Sequence, residues 1–137
     1  MGLYLCVFEG DEELDGVEVG LYADFNGLRS YVTHEFESGT HGASFPLFIL
    51  HSDSDGEWSA HDLAGLRREV EEIISAMKSR PPVPFISDWQ RKAAQSNGVV
   101  PRNAFESFVD VDGEFVLGRI HQLICMAQDR GLPILFQ

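Results

Sequence analysis

Residues 3–8 read LYLCVF, and this continuous apolar run decides the fold. The run has the length of a strand, and an unbroken apolar strand is typical of one that is covered on both faces. Residues 9–13 are almost entirely acidic, so the chain must return to solvent there. Residues 17–19 then alternate apolar and acidic side chains, which predicts a short edge strand that ends at Gly20.

Apolar residues at helical spacing predict three longer helices. The first begins at Asp24, a good N-cap, and ends near Ser38 and Gly39. The second begins at Ser59, and prolines at positions 81, 82 and 84 stop it. A short helix from Asp88 to Asn97 follows, and the last helix ends at Gly131. Further apolar runs at residues 45–50, 108–111 and 132–136 predict strands.

This order of elements predicts an α+β protein with an α/β-like alternation. We expect about four strands in one sheet, with three to four helices packed on it and the strands of residues 3–8 and 45–50 as neighbours. A chain of 137 residues has room for one core, so residues 1–137 are expected to form a single domain. The proline-rich connector is therefore not interpreted as a domain boundary.

The net charge of the chain limits the classes of molecule that it is expected to bind. Ten Lys and Arg stand against 22 Asp and Glu, which gives a net charge of −12. Such a field repels nucleic acid and anionic membranes and attracts basic protein surfaces, although acidity also serves solubility. The sequence has no long apolar run, no basic leader and only two distant cysteines, so we expect a cytoplasmic protein.

One pattern, Asp-x-Asp-Gly-Glu-aromatic, occurs at residues 53–58 and again at residues 110–115. Asp-Gly is turn chemistry, since Asp binds its own backbone and Gly adopts positive φ. Alternatively, the clustered carboxylates hold a hard cation or a basic side chain. A calcium loop would place His51 at its first ligand position, which is a poor calcium ligand. No metal or cofactor is therefore expected.

Signals of catalysis are weak. The chain contains no phosphate-binding loop, no Gly-x-Ser-x-Gly elbow and no His-Glu-x-x-His motif. His51 beside Asp53 and Asp55 leaves open a small enzyme that uses a His–Asp pair for acid–base chemistry, but no nucleophile accompanies it. We expect a protein that is not an enzyme, and a weak metal-binding module is a further alternative.

Six stretches carry a family resemblance: residues 1–8, 15–20, 22–25, 51–58, 110–114 and 133–137. Together they resemble one of the numbered immunity-protein families of bacterial polymorphic toxin systems. The resemblance implies a small cytoplasmic α+β protein that binds and neutralises a cognate toxin domain without catalysis or cofactor. It supplies no binding residues.

The candidate contacts come instead from charge and exposure. A toxin that cuts nucleic acid needs a basic cleft, and clustered carboxylates would pair with its Arg and Lys side chains. Trp58 is either an aromatic anchor of this contact or a core residue. The expected partner-binding residues are Asp53, Asp55, Glu57, Trp58, Glu12, Glu13, Asp110, Asp112 and Glu114.

Overall fold

The computed structural model describes residues 2–137 and has the predicted α+β class. Four strands form one antiparallel sheet, and helices pack against one face of it. Two short 3-10 turns, Ala60–Asp62 and Phe105–Ser107, complete the regular structure. The elements in chain order are β1 (Gly2–Glu9), β2 (Glu12–Leu21), α1 (Tyr22–Phe36), α2 (Pro46–Ile49), β3 (Glu57–Trp58), α3 (Leu63–Lys78), α4 (Asp88–Ser96), α5 (Val116–Arg130) and β4 (Ile134–Phe136).

The sheet is built around β1. Its strand order is β2-β1-β4-β3, so β1 pairs with β2 on one side and with β4 on the other. The β1–β2 hairpin reverses at Gly10, whose φ of 63° suits glycine, within the acidic segment that was expected to be in solvent. The predicted edge strand is confirmed as β2, but it is longer than the alternation of residues 17–19 indicated.

The two faces of β1 differ. Leu3, Leu5 and Val7 belong to the core cluster. Cys6 is also fully buried, but it lies on the opposite face together with its partly exposed neighbours Tyr4 and Phe8. We call the face that carries these three residues the outer face of the sheet. The continuous apolar run suggested a strand covered on both faces, and the core in fact lies on only one of them.

Two long helices fill the other side of the core. The predicted apolar stripe of α3 is confirmed, since Leu66, Val70 and Ile73 are buried in the core and α3 packs against α5. The α5 helix ends as predicted, because Gly131 adopts the left-handed conformation at φ 67°. The predicted terminal strand is also confirmed, as β4.

Residues 45–50 do not form a strand, and they do not neighbour β1. They contain the short helix α2, which begins at Pro46, where proline is favoured because it lacks the amide hydrogen that the first turn leaves unpaired. The Glu69 carboxylate on α3 accepts the next two amides, from Leu47 at 3.3 Å and Phe48 at 3.0 Å. A side chain more than 20 positions away in the sequence thus caps this turn.

Two further predictions need correction. Residues 108–111 form no strand, because the chain reverses at Asp110 and leaves only an isolated bridge between Val109 and Phe115. Asp24 is not the N-cap of α1 but lies in its first turn, where its carboxylate accepts the amide of Leu21 at 3.1 Å. The short third-helix prediction is confirmed as α4.

Candidate partner-binding surface

The first copy of the repeated motif forms the loop that leads into β3. Asp53 is half-buried and accepts a hydrogen bond from Asn26 Nδ2 at 2.7 Å, and this bond holds the pKa of Asp53 below its usual value. Asp55 and Glu57 are exposed. The loop therefore presents two free carboxylates beside one that α1 holds in place.

His51 fixes the same loop. Its ring stacks on Phe136, with centroids 4.1 Å apart. Nδ1 lies 2.8 Å from the carbonyl oxygen of Ser52, and Nε2 lies 2.9 Å from that of Glu57. Both ring nitrogens thus contact backbone carbonyls, and the His51–Asp53 pair of the enzyme alternative is not formed.

Trp58 is a core residue. It is 1% exposed, its ring packs edge-on against Phe136 and its indole N–H donates to the carbonyl of Leu47 at 2.9 Å. Of the two roles expected for this side chain, the structure shows the core role. A buried indole supports the loop and strand from beneath and presents no surface to a partner.

The second copy of the motif forms a self-contained turn. The Asp110 carboxylate, 2% exposed, accepts the amides of Asp112 at 2.9 Å and Glu114 at 3.0 Å. Burial raises the pKa of Asp110, against the opposing effect of these bonds. Gly113 has φ 81°, and a Cβ there would lie 2.3 Å from the side-chain nitrogen of Asn97. Here Asp110 and Gly113 are structural, and of the three carboxylates in this turn only those of Asp112 and Glu114 are exposed.

The third acidic segment is the tip of the β1–β2 hairpin. Glu12 and Glu13 are exposed at the start of β2, and Glu9 lies opposite Glu12. Arg130, the last residue of α5, lies 3.6 Å from Glu9 and offsets part of this charge. Glu13 lies opposite Phe8 and therefore belongs to the outer face.

The structure does not gather the nine predicted residues into one cluster. The motif at residues 53–57 leads into the edge strand β3, whereas the turn at residues 110–114 lies at the opposite edge, where Val111 donates to the carbonyl of Glu18 at 3.1 Å. The hairpin tip occupies a third position. Exposed carboxylates of all three segments surround the sheet.

The sequence reasoning missed two outward residues, Tyr4 and Glu18, which face each other across β1 and β2. Partial burial, together with the nearby carboxylate of Glu13, raises the pKa of Tyr4 to about 12, so its hydroxyl stays protonated. The alternation of residues 17–19 was the available signal for Glu18. The outward orientation of Tyr4 could not be predicted, because every position in the apolar run of residues 3–8 resembles a core position.

An open groove adjoins these residues at the end of β2. Its volume is about 520 Å³. Its wall includes two exposed apolar side chains, Leu21 and Val111, with 42% and 44% of their surface exposed. Trp89 from α4 also lines it, donates its indole N–H to Asp24 at 2.9 Å and packs its ring against Gly20. The lining includes Tyr4, Glu18, Gly20, Leu21, Trp89 and Val111.

A separate cluster of Glu71, His121 and Cys125 lies between α3 and α5. His121 Nε2 is 2.8 Å from the Glu71 carboxylate and 3.8 Å from the Cys125 sulfur. To activate a cysteine nucleophile, a histidine contacts the thiol with one ring nitrogen and the carboxylate with the other. In this cluster Nε2 of His121 is the nitrogen nearer to both Glu71 and Cys125. The cluster is a hydrogen-bonded network in which Glu71 also forms an ion pair with Arg67 at 3.1 Å.

Across residues 2–137, no three or more His, Cys, Asp or Glu side chains are grouped as they would be to hold a metal ion. None of the helices in the same range combines the length and the apolar character needed to cross a membrane.

The described part of the chain presents exposed carboxylates on three separate turns and loops around the sheet. Comparison with known families identifies the class of protein. The family model described as Immunity protein 70 matches residues 3–136, nearly the whole chain. The chain belongs to the immunity protein 70 family. No curated protein and no solved structure gives a significant match.

Proposed function

We propose that the protein binds a cognate bacterial toxin domain in the cytoplasm and neutralises it, and that exposed carboxylates contact a basic surface of that toxin. Membership of the immunity protein 70 family is the observation that carries this proposal. The net charge of −12 agrees with a basic partner. Cys6 and Cys125 are free thiols, as is usual in a reducing compartment.

The physical basis is competition for positive charge. A toxin that cleaves nucleic acid must hold phosphates with Arg and Lys, and a carboxylate pairs with the same side chains. Asp55 and Glu57 protrude on one loop, with Glu12 and Glu13 on the hairpin. An inhibitor placed over such a cleft blocks access to substrate without any reaction.

The nine predicted contact residues divide into three groups by exposure. Asp55, Glu57, Glu12, Glu13, Asp112 and Glu114 are exposed and can pair directly with a partner. Asp110 and Trp58 are buried and act by holding the turn and the strand that carry the exposed groups. Asp53 is intermediate, because Asn26 already occupies one of its oxygens.

The enzyme alternative around His51 has less support. General-base catalysis needs a ring nitrogen that is free to take a proton from a substrate, whereas both nitrogens of His51 contact backbone carbonyls.

The test is co-expression with the toxin encoded beside the gene. We expect the variant Asp53→Asn, Asp55→Asn, Glu57→Gln to bind the toxin more weakly than wild type, with a slower association rate that is less sensitive to salt. A matched control, Glu72→Gln, Asp88→Asn, Asp129→Asn, removes the same charge from exposed helix positions and should retain protection. Circular dichroism checks that both variants are folded.

The outcomes separate the parts of the proposal. If the folded loop variant binds and protects as well as wild type, the loop of residues 53–57 is not part of the interface. If the wild-type protein neither binds nor neutralises the neighbouring toxin, the immunity function itself is refuted.

A further inference from the structure

The outer face of the sheet is apolar at its centre and acidic at its margins. Cross-strand pairing places Glu18 beside Tyr4 and Glu13 beside Phe8. Between these rows, a third row crosses the entire sheet. Its members, in spatial order, are Gly16, Cys6, Leu135 and Glu57.

Cys6 at the centre of this face is buried, but the apolar side chains around it are not. Tyr4, Phe8 and Leu135 remain partly exposed, and they belong neither to the core cluster nor to the residues packed against it. The Tyr4 ring lies over Gly16, since a Cβ on that glycine would overlap the tyrosine ring. These contacts produce a smooth surface of side chains with no helix of the described chain over it.

The charge of this face has one sign. None of the four described strands contains Lys, Arg or His, and every Lys and Arg lies on a helix or a connector. Arg119 pairs with Asp15 at 3.4 Å on the helix side of the sheet, and Arg130 pairs with Glu9. Glu13, Glu18 and Glu57 therefore surround the apolar centre without a cation on any strand.

We infer that the toxin docks on the outer face of the sheet, through a patch in which Arg or Lys side chains surround an apolar centre. This inference rests on the proposed function and specifies its surface. Charge complementarity favours the toxin as the partner on this face, because Glu13, Glu18 and Glu57 attract a basic patch and repel nucleic acid. A second copy of this chain would bring like charges together and is disfavoured for the same reason.

Size indicates how much of the interface this face supplies. Three strand spacings separate Gly16 from Glu57, or about 14 Å, and Tyr4 to Phe8 spans about 14 Å along β1. The resulting area of about 200 Å² is a quarter of the ~800 Å² that each partner buries in a standard interface. The face thus forms the centre of the contact, and the hairpin tip and the loop of residues 53–57 extend it at the margins.

The groove beside Tyr4 and Glu18 continues this surface. Its apolar wall of Leu21, Trp89 and Val111 suits one aliphatic or aromatic side chain of the toxin. Interfaces commonly contain such a pocket for an anchor residue next to the centre of the contact.

The experiment uses the full-length protein and the toxin domain encoded beside it. We make Glu18→Lys on β2 and Leu135→Lys on β4, both outside the acidic loops, and measure affinity by calorimetry. Each should weaken binding by about tenfold or more, because Glu18→Lys sets a cation against the basic rim of the toxin patch and Leu135→Lys places a charge against its apolar centre. Glu72→Lys, the same change on an exposed position of α3, should weaken binding by less than about threefold.

Folding is checked by circular dichroism, and Glu18→Gln and Leu135→Thr replace any lysine variant that does not fold. Full affinity of the folded outer-face variants, with affinity lost in the variant of residues 53–57, overturns this inference but not the immunity function. Absence of wild-type binding refutes both. A stable dimer of the free chain that Leu135→Lys dissociates would assign the face to a second copy and also overturn the inference.

Discussion

Replacing Glu37 by glutamine is the most informative single change to the fold. Glu37 follows α1, is 3% exposed and ties four groups together through its carboxylate. One oxygen accepts from the Thr33 hydroxyl at 2.9 Å and from the Gly42 amide at 3.0 Å. The other accepts from the amides of Ser44 and Phe45, each at 2.9 Å.

The magnitude of the effect follows from this geometry. Glutamine keeps one oxygen and replaces the other with an NH₂ group, which cannot accept hydrogen bonds, so two of the four bonds are lost. Each hydrogen bond to a charged group contributes about 1.5–3 kcal/mol, and the two that remain become weaker. We expect the free energy of unfolding to fall by about 3–5 kcal/mol, a large fraction of the ~7–20 kcal/mol expected for a chain of this size.

The effect should depend on pH. Burial raises the pKa of Glu37, but the bonds from Phe45, Ser44 and Gly42 outweigh it and leave the pKa below the ordinary value of 4.5. The carboxylate therefore contributes stability above pH 4.5, and this contribution is lost as the pH falls through the lowered pKa. The difference between wild type and Glu37→Gln should shrink in acid.

The assay is urea unfolding followed by tryptophan fluorescence, at neutral pH and again in acid. Glu35→Gln is the matched control, because this neighbouring glutamate only pairs with Arg80 across 3.7 Å at the surface, and its loss should have a much smaller effect. A loss below about 1 kcal/mol for Glu37→Gln, or a loss that does not change with pH, would refute the reasoning.

Two further predictions follow from the repeated motif. Asp110→Ala should lower the free energy of unfolding by about 2 kcal/mol in urea unfolding, because two backbone amides lose their acceptor. Asp53→Ala should leave the urea midpoint almost unchanged. Equal effects of the two substitutions would contradict the different roles of the two copies. Calorimetric titration with Ca²⁺ or Mg²⁺ should show at most binding near the millimolar range, about the weakest seen in calcium modules, and micromolar binding that Asp55→Asn abolishes would restore the metal alternative.

The long helices were predictable because their evidence is local. The stripe of α3 repeats at helical spacing over several turns, and prolines stop the helix without help from the rest of the chain. The closure of α5 at Gly131 is equally local, since glycine readily takes the left-handed conformation.

The short apolar segments were not predictable for the opposite reason. Residues 45–50 have too few turns to show a period, and their helix is capped by Glu69, which only tertiary packing brings near. The repeated hexapeptide shows the same limit. One copy enters the sheet through Glu57 and Trp58, and the other closes on its own backbone at Asp110.

The candidate surface was predicted in part. The acidic turn motif predicted correctly that side chains such as Asp55 and Glu57 are exposed. The arrangement of these carboxylates around the sheet depends on strand order, which the motif does not reveal. Strand order is a long-range property, since β4 from the end of the chain inserts between β1 and β3. No local pattern places Leu135 next to Cys6.

The alternation along β1 has a consequence for how such a protein can be altered. Leu3, Leu5 and Val7 hold the core, while Tyr4 and Phe8 point the other way. Successive residues of this strand therefore contribute differently, the inward ones to stability and, under the docking proposed above, the exposed outward ones to recognition. A library that randomises the exposed outward positions, such as Tyr4, Glu18 and Leu135, should remain largely folded, whereas Cys6 and Gly16 must be kept because Cys6 is buried and a Cβ at position 16 would overlap Tyr4. Under the proposed function, such a library offers a route to variants that neutralise other toxins.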